Sequence, residues 1–341
     1  MSERQHWGIL SPQLPAAQIA AIARSWEEKG MGGAFATQVY GPPWSALAAA
    51  ATTTSELGLA SGVALAFTRS PFETACAAMD LDRMSGGRFV LGVGPSIRSW
   101  SEGFFGAEYG KPLAHLREVI EIVRDVVAHA HTGELTGYEG TYHRHDWSEF
   151  QPSPEPVRTA IPIWIAALRR PLIRFSAQHA DGLIGHPMWS SWWLQHEVVP
   201  ALDSALADAG RRRADMHVNL WHWVAPTKDI RAGVDDAKAT VAFYASQSQY
   251  EEYYEAHGFG DIARRLQTAT PAEGFRAAAR HVPDDMAQTF VHVGDPDDIA
   301  AALDGEWEIA DSMCLTAPLG APPDRAAGYR ALIADVLHRP S

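Results

Sequence analysis

The chain has 341 residues, 46% of them hydrophobic and 20% charged, and a formal net charge of -13. That length holds one large α/β domain or two smaller ones with a substantial buried core, and the acidic balance repels a phosphate backbone, which argues against nucleic acid as a partner and for a small molecule. No apolar run approaches the roughly 20 residues that span a bilayer, and the opening "MSERQHWGILSP" lacks the basic head, apolar core and cleavage site of a signal peptide, so a cytoplasmic protein without a membrane partner is expected.

Along the chain, short apolar runs alternate with helical patterns. "HWGIL" (6–10) precedes a predicted helix over 15–29, "GGAFATQ" (32–38) one over 43–54, and "LGLASGVAL" (57–65) one over 71–84. "RFVLGVG" (88–94) leads to a helix on which Leu116, Val119, Ile120, Val123 and Val127 share one face. "IPIWIAA" (161–167) comes before 171–180, "DGLIGHP" (181–187) before 190–209, "MHVNLWHWVA" (216–225) before 228–248, and "ADSMCLTAP" (310–318) before 323–338. Continuous apolar strands alternating with amphipathic helices predict a parallel sheet covered by helices, and eight such units predict closure into a (β/α)8 TIM barrel. Residues 1–341 are read as a single domain with two insertions, a hairpin over about 133–150 and a helical region over about 250–305, both expected over the C-terminal face. Cys76 and Cys314 are too isolated for a disulfide framework or a thiolate metal site and are expected as buried thiols.

The stretch "LDRMSGGRFVLGVGP" (81–95) ends a strand on Gly92 and Gly94. A dinucleotide fingerprint is a poor match, because the third glycine is missing and Pro95 removes an N–H where a phosphate turn needs donors. Two readings stay open: tight packing at the barrel rim, or a flat ring lying on bare backbone at the C-terminal end of the fourth strand. In "AALRRPLIRFS" (166–176) a strand ends at Ala166-Ala167 and a helix begins near Pro171. The backbone N–H groups of Leu168, Arg169 and Arg170 then point towards an anion, with guanidinium groups, Arg174 included, nearby.

Taken together, "SGVALAFTRSPFETACAAMDLDRMSGGRFVLGVGP", "GKPLAHLREVIEIVRDVV" and "IPIWIAALRRPLIRFSAQHADGLIGHP" resemble the luciferase-like flavin and deazaflavin oxidoreductase superfamily, and most of all its coenzyme F420-dependent branch, which includes methylene-tetrahydromethanopterin reductase. The resemblance implies a luciferase-like barrel that binds F420 and exchanges hydride with a small organic substrate. It implies a cis peptide bond near Gly62–Val63, with Val63 and Ala64 backing the deazaflavin ring. It further implies that Gly92, Gly94, Pro95 and Ser96 lie beside the cofactor and that Ala167, Leu168, Arg169 and Arg170 hold its phosphate. FMN is the alternative cofactor, in a monooxygenase served by a partner reductase; F420 is favoured because no arginine directly follows the strand-four glycines. A second alternative is a non-catalytic flavin-binding relative, since the acid and histidine that several F420 dehydrogenases carry after strand two are replaced here by Gln38 and Val39. Gln38 can hydrogen-bond but cannot act as a base, which leaves His186 as the candidate proton handler. Tyr40, Trp44 and Trp189, with Trp192 and Trp193, are expected to wall the substrate pocket. No metal site is expected: His143 and His145 share a strand face, with His129 and His131 upstream, but no carboxylate or cysteine at a matching spacing completes a shell. A homodimer or higher homo-oligomer is expected from the resemblance alone.

Overall fold

Each of the eight apolar runs becomes a strand of one closed parallel barrel. The computed structural model describes residues 4–337. Its barrel strands are Gln5–Leu10, Gly33–Ala36, Gly58–Ser61 with Ala64–Leu65 as its continuation, Phe89–Gly94, Ile163–Ala167, Gly182–Gly185, His217–Pro226 and Ser312–Thr316. Neighbours in the chain are neighbours in the sheet. Trp7 lies opposite Cys314, so the first strand closes on the eighth and the barrel has no open edge.

The interior is filled by side chains from every strand. Trp7, Phe35, Ala60, Trp164, Ile184, Trp221 and Cys314 form a buried cluster, and Val90 of the fourth strand packs against it. The Trp7 ring lies 4.7 Å from Phe35 and 5.3 Å from Trp164, and Phe35 lies 5.0 Å from Trp221. These large rings seal the barrel axis. Ile9, Val63 and Ala166 rest on the plug and stay partly exposed, so they form a floor of small apolar groups open to the C-terminal mouth. Helices cover the outside, and Leu116, Val119, Ile120, Val123 and Val127 are all buried there as their spacing requires. The predicted helix over 190–209 is interrupted by a π-helical turn, Leu194–Val198, just before Pro200, which has no N–H to continue the regular ladder.

The foot of the barrel is held by the most distinctive part of the sequence. Gly86 and Gly87 adopt left-handed φ values of 65° and 88°, which ends the helix Pro71–Ser85 and turns the chain into strand four. Arg88 then donates to the Ser85 carbonyl at 2.7 Å, to the Leu57 carbonyl at 2.5 Å and to the Thr54 carbonyl at 2.9 Å, tying the helix end to the loop before strand three with one planar fork. The buried Asp82 carboxylate pairs with Arg158, whose guanidinium also donates to the Phe89 carbonyl at 2.6 Å.

The first insertion departs from the expected position over the mouth, whereas the second sends Tyr250 and Glu252 to the loops after strands six and five. Strands Gly137–Glu139 and Arg144–Asp146 pair as the anticipated antiparallel hairpin, yet it lies along the outer flank of helix Pro112–His129. The Glu118 carboxylate accepts from the backbone of Thr141, Tyr142 and His143 at 2.8, 2.8 and 3.0 Å, and Tyr138 donates to Glu121 at 2.7 Å. The region expected to be helical over 250–305 contains a strand, Val291–Gly294, parallel to the far end of strand seven. Strand seven is ten residues long and therefore outruns the barrel. Cys314 is buried as expected, whereas Cys76 is half-buried. Among the described residues no helix is long and apolar enough to cross a membrane.

Gly92 answers to packing. A Cβ there would overlap the Ser61 carbonyl oxygen and meet Ile184 at 3.0 Å, while the Ser61 hydroxyl donates to the Gly92 carbonyl at 2.8 Å. Gly92→Ala should therefore lower stability by about 3 kcal/mol through overpacking, visible as a drop of several degrees in Tm.

Candidate active site at the barrel mouth

Strand three breaks after Ser61. The Gly62–Val63 peptide bond is cis, as the family resemblance implied, and the chain then resumes with Ala64 and Leu65 paired to Val93 and Gly94. Val63 thereby sits beside the end of strand four: a Cβ added to Gly94 would lie 3.1 Å from the Val63 side chain and 3.7 Å from Ala166. Gly94 thus faces the partly exposed floor, whereas Gly92 is enclosed within the wall. Two residues on, Ser96 has φ 58° and is the one non-glycine in the left-handed region among the described residues, a conformation that costs energy and concentrates at functional sites. The Tyr109 hydroxyl donates to the Ser96 carbonyl at 3.2 Å.

Gln38 is buried at the end of strand two and holds the neighbouring segment in place. Its Oε1 accepts from the Leu65 N–H at 3.0 Å and from Arg69 at 2.7 Å, while its Nε2 donates to the Thr68 hydroxyl at 3.3 Å. Gln38, a candidate catalytic residue from the sequence, thus also braces the strand-three bulge and Arg69. Arg69 stacks over Trp44 at 5.3 Å and, among the described residues, has no carboxylate within ion-pair distance; burial pulls its pKa below the usual value. It is a cation at the rim that sequence reasoning missed, although it stands in the quoted "TRSP". Tyr40 is exposed on the rim, 6.4 Å from Phe104.

The arginines after strand five each have a carboxylate partner. Arg169 pairs with Glu252, Arg170 with Glu197 at 2.5 Å, and Arg174 with Asp208 at 2.8 Å. The arginines of these pairs are solvent-exposed, and beside them the backbone at Leu168–Arg170 lies at the N-terminus of helix Arg170–His179, where N–H groups can meet an anion. Trp189 is buried and braces that loop from behind: its indole N–H donates to the Leu168 carbonyl at 2.9 Å, and that of Trp193 to the same oxygen at 3.2 Å. Trp192 is exposed.

His186 follows strand six and meets Tyr244 and Tyr250 edge-on at 5.2 and 5.3 Å. Its Nδ1 accepts from the Met188 N–H at 3.2 Å, so the neutral ring carries its proton on Nε2. Burial lowers its pKa to about 3 and raises that of Tyr250 to about 12. At neutral pH the pair offers hydrogen-bond donors at the mouth, and His186 is not a ready base. Tyr250 and Tyr109 were not foreseen, because neither adjoins a barrel strand in sequence.

Elsewhere, His143 and His145 share a face of the hairpin as anticipated, but the close partner is His115, whose Nε2 lies 3.0 Å from that of His143. His129 pairs with Asp125 at 2.8 Å. A separate group, buried His222 and Glu306 with half-buried His292, is gathered from three distant segments.

The family model for luciferase-like monooxygenases matches residues 1–310. An uncharacterized protein of Mycobacterium tuberculosis is 32% identical over 305 residues, covering 88% of this chain and 89% of its own. A second M. tuberculosis protein, provisionally named a coenzyme F420-dependent oxidoreductase, is 28% identical over 333 residues, covering 92% and 93%. Among solved structures, the coenzyme F420-dependent tetrahydromethanopterin reductase of Methanopyrus kandleri superposes with a TM-score of 0.81 at 21% identity, covering 98% of both chains.

Two outcomes follow from the site. Gln38→Leu leaves the Leu65 N–H without its acceptor and should cost about 2 kcal/mol in urea unfolding, while Gln38→Glu, which keeps the acceptor and pairs with Arg69, should retain wild-type stability. The second concerns pH. His6, His186 and His217 have folded pKa values lowered by burial to about 4, 3 and 4. Between pH 6.5 and about 4 the unfolded chain takes up protons that the folded one refuses, so stability is present above 6.5 and lost as pH falls. Thermal unfolding across that window should show a falling Tm, with a shallower slope in His186→Gln.

Proposed function

This chain belongs to the luciferase-like monooxygenase family, and we propose that its barrel mouth binds coenzyme F420 and that the protein transfers hydride between the deazaflavin and a small organic substrate. The observation that carries the reading is the floor itself: Ile9, Val63 and Ala166, small, apolar and partly exposed above a sealed plug, with Gly94 bare at their edge. A flat tricyclic ring fits such a floor, and large side chains there would exclude it. The name of the 28% identical relative supports F420 over FMN.

F420 when bound supplies a carbon centre that gives or takes hydride and activates oxygen poorly. The chain's own residues then have separable tasks. The Gly62–Val63 bulge supports one face of the ring. The backbone at the start of helix Arg170–His179 receives phosphate, and Arg69 offers a cation to an anionic group of cofactor or substrate. His186, through Nε2–H, and Tyr250 donate hydrogen bonds to a substrate oxygen, orienting it and stabilising charge that develops there. The ring-lined plug keeps water from reaching the site from below.

Parallel titration of the purified protein with F420 and FMN tests this. F420 should bind at least tenfold more tightly than FMN, and Val63→Trp, which fills the floor, should weaken F420 binding at least tenfold while the protein stays folded. Tighter binding of FMN with oxygen-consuming turnover would replace the reading with a monooxygenase, and a bound cofactor that no substrate reduces or reoxidises would replace it with a non-catalytic relative.

A further inference from the structure

Outside the barrel, on the face of strand seven turned away from the mouth, three side chains converge that no motif connects. Along this strand Trp221 points into the barrel plug, while Val218, Leu220 and Val224 pack into the outer core. His222 shares their parity and is buried with a side-chain exposure of 3%. His292 comes from the outlying strand Val291–Gly294, where it is registered opposite Val224. Glu306 comes from the short 3-10 turn Gly305–Glu308 that leads into strand eight, and is 4% exposed.

We propose that His222, His292 and Glu306 form a binding site for a divalent transition-metal ion that clasps the segment between strands seven and eight to the barrel wall. His222 Nε2 and Glu306 Oε2 lie 2.7 Å apart as a buried ion pair, so the two groups already converge on one point. One ligand atom from each of the three residues lies within 4.8 Å of the others. Ligands bonded at about 2.0–2.2 Å sit roughly 3.3 Å apart around a tetrahedral ion, so a modest rotation of His292 completes the set. The two imidazoles meet at 76° with centroids 5.2 Å apart, converging edge to face.

The remaining carboxylate oxygen is already engaged: Ser191 Oγ donates to Glu306 Oε1 at 2.7 Å, which fixes the carboxylate plane as outer partners of metal ligands do. Two imidazole nitrogens and one carboxylate oxygen are borderline donors suited to zinc, cobalt, iron or manganese, and leave positions for water. His292 is half-buried, which gives an ion a way in. The buried carboxylate would otherwise rely on one imidazole and one hydroxyl for compensation, an expensive arrangement. The site is independent of the cofactor reading, since none of its residues belongs to the mouth.

The full-length protein, stripped with a chelator and dialysed, should be titrated with Zn2+ by calorimetry and with Co2+ by visible absorption. One equivalent should bind, Co2+ should give d–d bands typical of nitrogen and oxygen ligation, and Zn2+ should raise Tm. Glu306→Gln and His292→Ala should each weaken binding at least tenfold and abolish the Tm rise. His143→Ala/His145→Ala, which alters the separate histidine cluster on the hairpin, should leave both unchanged. Absence of binding by the wild-type chain at micromolar metal would overturn the proposal whatever the variants do. So would binding that survives Glu306→Gln but disappears with the hairpin histidines.

Discussion

The contact between Ser61 and Gly92 is the constraint on which the mouth depends. Strands three and four meet with the Ser61 carbonyl against the α-carbon of Gly92, a distance only glycine permits, and the Ser61 hydroxyl returns a bond to the Gly92 carbonyl. That seating ends regular pairing of strand three, after which the chain turns through Gly62–Val63 and resumes against Val93 and Gly94. Val63 is thereby carried onto the aromatic plug, where it forms the floor with Ile9 and Ala166. Gln38 fixes the far side of the same bulge by accepting from Leu65. One close approach in the wall thus sets the depth and the flatness of the mouth.

The barrel was legible because its information is local. Each strand is an apolar run bounded by turns, each helix has a periodic face, and their alternation leaves few topologies open. The cis bond was legible only through family resemblance, since nothing in Ser61-Gly62-Val63-Ala64 by itself demands it. Strand Val291–Gly294 was missed because four residues beside a helix carry too little periodicity to distinguish them. What could not be read at all was pairing between distant segments. Arg169, Arg170 and Arg174 look like an anion site in sequence, and their carboxylate partners arrive from later helices. His222, His292 and Glu306 are three unremarkable residues until strand seven outruns the barrel and brings them together.

The same non-locality separates roles that sequence reasoning had merged. The run around Gly92 and Gly94 was read as one surface, yet two residues apart the chain passes from wall to floor. Gln38 and His186 were both candidates for chemistry, and their hydrogen bonds divide them: one is occupied on its acceptor side by structure, the other keeps a free donor beside two tyrosines.

Asp82, Gly86, Gly87 and Arg88 account for much of what makes this stretch recognisable, and all of them work at the foot of the barrel or on its flank. Those positions serve architecture without reference to any substrate. A descendant could exchange every rim residue, take a new reactant and still carry the signature intact, so kinship detected through it dates the scaffold and leaves the choice of reaction to be read from the loops above.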